Sequence, residues 1–139
     1  MADFNKEIDK VLKFEGLYVN DPDDSGGETY MGISRKSNSK WIGWGVIDEE
    51  KKKGLKNINT RLKQNESLTN SVKLYYKIHY WDVMLLDEVP NQRIAHQMFD
   101  TAVNMGVAAA IRFAQQCLMM TVTGKFSLEL LTNLKNYEP

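Results

Sequence analysis

The chain has a single cysteine, Cys117, and only two histidines, His79 and His96. One thiol builds no disulfide framework, and two histidines this far apart suggest no zinc site. Net charge is also missing: 18 basic side chains balance 18 acidic ones. No overall field therefore draws the protein to nucleic acid. No apolar run approaches the length of a membrane span, so no membrane insertion is expected. Internal repeats, low-complexity tracts and linkers are absent. So are a phosphate-cradling glycine loop before a lysine and any evident Ser/His/Asp or Cys/His arrangement. Metal, cofactor and nucleic acid thus drop out of the expected chemistry.

What is present is ordinary for a globular domain: 139 residues, 42% hydrophobic and 26% charged. One domain is the default at this length, and it can bury a core without staples. The dominant signal is helical periodicity. Phe4, Ile8, Val11 and Leu12 form one stripe. Asp48 to Lys53 reads as a capped helix start whose charges form a solvated face. Leu55, Ile58 and Leu62 mark a short helix. Leu68, Val72, Tyr75 and His79, broadened by Leu74, Ile78 and Trp81, mark a long one running to about Met84. Asn65 or Ser67 would cap it. On that stripe His79 reads as a core histidine. Pro90 stands near the start of a helix carrying Ile94, Met98, Ala102 and Met105 and ending at Gly106. A further helix runs to about Met120, with Cys117 expected as a buried thiol. Ser127 caps the last, whose Leu128, Leu131 and Leu134 face inward. Met98, Met105, Met119 and Met120 read as gap fillers. Strand fits only Leu17–Asn20 and Thr29–Ile33, as a small hairpin.

The chemistry gathers between Phe14 and Ser34. Glu15 continues the apolar stripe of the first helix as a carboxylate, and Gly16 follows where a left-handed C-cap belongs. Burial and the negative end of the helix dipole both disfavour its charged form. A carboxylic acid still protonated near neutral pH suits the general acid of a glycosidase. Taken alone, such a Glu is more often simply a side chain at a frayed helix end reaching water. The turn-forming run Asn20-Asp21-Pro22-Asp23-Asp24-Ser25-Gly26-Gly27 follows. It places Asp24 nine residues after Glu15, where a chain reversal can bring it across a cleft. Ser34 is a plausible N-cap. Calcium fits poorly. Asp21, Asp23, Ser25 and Gly26 match the start of an EF-hand loop, but its twelfth position is Gly32 rather than a bidentate Glu.

Glu15-Gly16-x-Tyr18-Val19-Asn20-Asp21-Pro22-x-Asp24-x-Gly26-Gly27-x-Thr29-x-x-Gly32-Ile33-Ser34 resembles the signature of the glycoside hydrolase 108 family. Its members are phage and bacterial N-acetylmuramidases, some called secretion activators. Tyr80-Trp81-Asp82 and Phe99-Asp100-Thr101-Ala102-Val103-Asn104-Met105-Gly106 resemble the family's central helix, which opens its peptidoglycan-binding half. Leu17 departs from the pattern, which usually has Gly there. The resemblance implies a mainly α, lysozyme-like fold with at most a small β-hairpin near residues 17–33. It implies one compact domain, with a muramidase-like half over 1–88 and a wall-binding half over 89–139. The implied reaction is hydrolysis of the β-1,4 bond between N-acetylmuramic acid and N-acetylglucosamine.

On this reading Glu15 is the general acid and Asp24 the second carboxylate. The third role falls on Tyr30 by position and on Thr29 by residue type. Tyr18, Tyr30, Tyr80, Trp81, Asp100 and Asn104 would line the groove. Asp100 and Asn104, one helical turn apart, could equally bond each other. Trp41 and Trp44, among glycines and cations, either meet sugars or pack into the core. The expected partner is the peptidoglycan glycan strand, and the expected state a monomer. The N-terminus runs straight into a helix without a signal-peptide pattern. Synthesis in the cytoplasm, with holin-type or other release to the wall, is therefore expected. The competing readings are a hydrolase of chitin-like polymers and a non-catalytic wall-binding or secretion-accessory module.

Overall fold

A computed structural model describes residues 1–13, 16–23 and 27–138. Glu15 and Asp24 lie outside the described residues, as do Phe14, Ser25, Gly26 and Pro139. The chain divides into two units, one of Met1–Val11 with Tyr76–Pro139 and one of Leu12–Tyr75.

In the Leu12–Tyr75 unit, three short strands form an antiparallel meander: β1 (Val19–Asn20), β2 (Glu28–Tyr30) and β3 (Ile33–Ser34). Val19 pairs with Thr29 and Asn20 with Glu28, while Thr29 pairs with Ser34 and Tyr30 with Ile33. The β2–β3 loop is the two residues Met31-Gly32, both at positive φ (46° and 82°). That is the primed turn that matches strand twist, with Met31 where Asn is usual. Ser34, expected as an N-cap, is instead part of β3.

Helix α2 spans Gly43–Lys52, so it starts five residues before the Asp48 start expected from its acids. The reason is packing. Gly43, Trp44 and Ile47 form a buried face that pulls the preceding turn into the helix. A Cβ on Gly43 would lie 2.3 Å from the Trp41 ring, so only glycine fits beneath that indole. Trp44 is buried and donates from Nε1 to the Asn38 carbonyl at 2.9 Å. Trp41 is half-buried, edge-on to Trp44 at 5.3 Å and to Tyr75 at 6.3 Å. Both indoles therefore serve packing. Helices α3 (Ile58–Gln64) and α4 (Glu66–Tyr76) bury Ile58, Leu62, Leu68 and Val72 in the same core, and Leu55 is exposed. Asn65 caps α4 by accepting from the Leu68 amide at 2.9 Å.

The other unit holds α1 (Asn5–Leu12), α5 (Gln92–Met105), α6 (Val107–Cys117) and α7 (Leu128–Asn136). Beyond α4 the chain stays helical to Met84 but widens into a π turn over Lys77–Trp81 and then tightens to 3-10 over Asp82–Met84. The widening rotates the apolar face. Trp81 becomes fully buried, whereas Ile78 and His79 are exposed rather than inward; Leu74, on α4 ahead of the widening, is exposed as well. Phe4, Trp81 and Phe99 form a mutual edge-on trio with centroids 5.4–5.6 Å apart. Also buried in this unit are Ile8, Met84, Leu86, Val89, Ala95, Met98 and Ala102, with Leu130, Leu131 and Leu134 from α7. Asn91 caps α5, accepting from Arg93 and Ile94 amides at 2.9 and 3.1 Å. Gly106, at φ 99°, ends it. The buried Gln115 holds the turn after α6: its Oε1 accepts from the Thr123 and Gly124 amides at 2.9 and 3.1 Å.

Several inward expectations fail here. Met105 is exposed, Met119 is 94% exposed at φ 57° after α6 has ended, and Leu128, on the first turn of α7, faces solvent. Cys117 is exposed rather than a buried thiol.

Candidate active site

Tyr18 and Glu28 are held by hydrogen bonds that reach outside the Gly16–Ser34 stretch. The Tyr18 amide donates to Asn59 Oδ1 at 2.9 Å, tying the start of β1 to α3. The Tyr18 hydroxyl donates to Glu28 Oε2. Glu28 is 11% exposed and also accepts from Arg35 at 2.9 Å and Lys51 at 2.8 Å. Arg35 grips Asp48 with both terminal nitrogens, at 2.7 and 2.8 Å, and lies over the Trp44 ring at 5.2 Å. A forked guanidinium makes such a two-point bond and a stacked contact together, which a lysine cannot.

The electrostatics follow. Burial pushes the Glu28 carboxyl up, but hydrogen bonds from Lys51, Tyr18 and Arg35 outweigh it and leave it below the ordinary value. Burial and the bond to Glu28 push the Tyr18 phenol above its usual range, with Lys51 opposing. The Lys51 ammonium is raised by Glu28, and Asp48 is lowered by Arg35. These four charges and one phenol form a network whose members stay ionised, or protonated, throughout the neutral range.

Strand alternation separates the two candidates for the third role. Thr29 and Tyr30 point to opposite faces of the sheet. Tyr30 is 1% exposed, and burial raises its phenol. Thr29 is half-buried and stands beside Val19. Tyr30 therefore has no surface to offer a substrate, whereas Thr29 does.

The remaining expected residues belong to the other unit. Trp81 is 0% exposed and donates from Nε1 to Asp87 at 2.8 Å, so its indole is core rather than groove lining. Tyr80 is half-buried and stacks on Tyr76 at 5.6 Å. On α5, the Asn104 amide donates to the Asp100 carbonyl at 2.9 Å and to its carboxylate at 3.3 Å. The pair expected from their spacing is thus formed.

Two features escaped the sequence reading. One is the network around Glu28, whose members come from the residue before β1, from β2, from the turn after β3 and from α2, so no single periodicity marks it. The other is Glu7, 1% exposed, which accepts from Gln92 at 2.9 Å and from His96 Nδ1, with Lys10 at 3.6 Å. Glu7 lies three residues after Phe4 and four before Val11, on the same stripe that singles out Glu15. It borders a cleft of about 730 Å³ with His96, Met98, Phe113, Cys117 and Leu134. Among the described residues, none of those expected at the site lines that cleft.

Comparison with known proteins places this geometry. Among solved structures, that of SagA from Brucella abortus superposes with a TM-score of 0.64 at 24% identity. The match covers 97% of this chain and 70% of that one. It establishes a mainly α, lysozyme-like fold with one small β element. No match was found among curated proteins. Residues 8–106 match glycosyl hydrolase 108, and they include the whole stretch from Glu15 to Ser34 as well as Asp100 and Asn104. The chain belongs to the glycosyl hydrolase 108 family.

Proposed function

We propose that the protein is an N-acetylmuramidase that hydrolyses the β-1,4 bond between N-acetylmuramic acid and N-acetylglucosamine in bacterial peptidoglycan. The observation that carries this reading is the family match, whose span contains the Glu15–Ser34 stretch. Glu15 donates a proton to the leaving glycosidic oxygen. Asp24 activates water or stabilises the oxocarbenium-like transition state. Thr29 orients that water; its half-exposed position beside β1 supports it over the buried Tyr30. Tyr18, Tyr80, Asp100 and Asn104 contact the glycan. Trp81 and Tyr30 act through packing. Residues 1–88 carry the hydrolytic half of one domain and residues 89–139 a wall-binding half. The protein works as a monomer at the cell wall and needs no cofactor.

The test is release of reducing ends from purified sacculi, compared with chitin oligomers of matched length. The muramidase reading expects release from sacculi and little from chitin. Equal release from both points to a general amino-sugar hydrolase. Sedimentation with sacculi without product points to a binding module.

A further inference from the structure

Tyr18 is restrained at three points. Its amide is bonded to Asn59, its hydroxyl is committed as a donor to Glu28, and the Lys51 ammonium lies 5.9 Å from its ring centroid. A phenol whose one proton is already donated offers a sugar its ring rather than a free O–H. Glu28, in turn, cannot follow a moving tyrosine. Its other oxygen is tied to Arg35, Lys51 holds the oxygen that Tyr18 uses, and Arg35 is anchored on Asp48 and Trp44.

We propose that Glu28 is a positioning residue that fixes Tyr18 as an aromatic platform for a sugar ring of the substrate. This rests on the glycosidase reading above and adds a specificity element to it. Arg35 and Lys51 keep Glu28 in place, so the platform is set by α2 as well as by the sheet that carries it. Aromatic faces meet the apolar C–H face of a pyranose, and a face held in one orientation binds with less ordering cost. The expected substrate is therefore a glycan whose amino-sugar ring stacks on Tyr18, with affinity depending on a residue that never touches it.

The experiment uses wild type, Tyr18→Phe, Glu28→Ala, Glu28→Gln, the Tyr18→Phe/Glu28→Ala double variant and Glu15→Gln. Each is assayed on soluble peptidoglycan fragments and melted. Tyr18→Phe and Glu28→Ala should each lower kcat/KM by about tenfold, mostly through KM, the scale of losing one hydrogen bond that orders a binding group. The double variant should be no worse than either single one. Glu28→Gln keeps an oxygen that accepts from Tyr18 but turns an NH2 toward the Arg35 donor, so its activity should fall between those of wild type and Glu28→Ala. A purely structural Glu28 would give a lower melting point with wild-type KM, and Tyr18→Phe would be silent. Either result, or additive losses in the double variant, overturns the proposal. Tyr18→Phe removes one oxygen from the same bond, so the question stays answerable if Glu28→Ala does not fold.

Equal, near-zero turnover by wild type and Glu15→Gln would instead sink the glycosidase reading. In that case ¹³Cζ-tyrosine NMR titration reads the platform directly. The Tyr18 resonance, assigned by its loss in Tyr18→Phe, should titrate at lower pH in Glu28→Gln than in wild type. An unchanged titration overturns the coupling.

Discussion

Glu7 on α1 and His96 on α5 are joined by a hydrogen bond from the imidazole Nδ1 to a carboxylate that is almost wholly removed from solvent. The Gln92 amide and the Lys10 ammonium complete the surroundings. Burial pushes the Glu7 carboxyl up, but the hydrogen bonds from Gln92 and His96 and the nearby positive charges win. The group sits below its ordinary value of 4.5. A carboxylate lowered on folding stabilises the native state above its unfolded pKa, and that contribution fades as pH falls through its folded pKa. Melting temperature should therefore drop as pH is lowered from 4.5. In Glu7→Gln the drop should be shallower, and at pH 7 the variant should melt lower than wild type. Parallel wild-type and variant curves would contradict this role.

Glu7→Leu should be worse than Glu7→Gln. It leaves the Gln92 and His96 donors facing an apolar side chain, at about 1–3 kcal/mol. Urea unfolding at pH 7 measures it directly.

Why did Glu15 stand out in the sequence when Glu7 did not? Both lie on the stripe of Phe4, Ile8 and Val11. Glu15 is marked by the Gly16 and Asp-rich turn beside it. Apart from Lys10, Glu7 is marked by partners 85 and 89 residues away in the chain, Gln92 and His96, which periodicity cannot supply. The same limit explains the other misses. The helix around Trp81 was legible, but its π widening was not, because one extra residue in a turn leaves no compositional trace. That widening moves Ile78 and His79 outward and puts Trp81 in the core. Start positions failed where packing outvoted charge: Gly43 and Trp44 begin α2 before its acids. Local chemistry was read well. Asn65, Ser127 and Gly106 end or begin helices as their residue types require.

Trp81→Phe separates core from groove. It removes the bond to Asp87 and leaves space beside Phe4 and Phe99. Stability should fall by about 1–3 kcal/mol, as for other large-to-small core changes. At temperatures where the variant is folded, KM for peptidoglycan fragments should equal that of wild type. A raised KM in the folded variant would return Trp81 to the substrate groove.

Thr29→Ala and Tyr30→Phe separate the two faces of β2. Thr29→Ala should lower kcat by about 10²-fold, the scale of losing one orienting contact to the attacking water. Tyr30→Phe should leave kcat near wild type and change only stability. The reverse pattern would assign the third role to Tyr30.

Asn91→Ala should cost about 1 kcal/mol through the loss of two amide partners at the start of α5. Asn91→Ser should recover most of it. Equal stability of the Ala and wild-type proteins would show that the cap contributes nothing.

If Glu15 is the proton donor of a muramidase, turbidity clearing of purified sacculi by wild type and Glu15→Gln, with melting curves taken on the same samples, reads it directly. The amide keeps the shape of the side chain and its hydrogen-bonding capacity but cannot protonate the leaving oxygen, and general acid catalysis is worth about 10²–10⁴-fold. Glu15→Gln should fold with a melting temperature at or slightly above wild type and clear sacculi at least about 10²-fold more slowly. A folded Glu15→Gln that clears sacculi at the wild-type rate would contradict it.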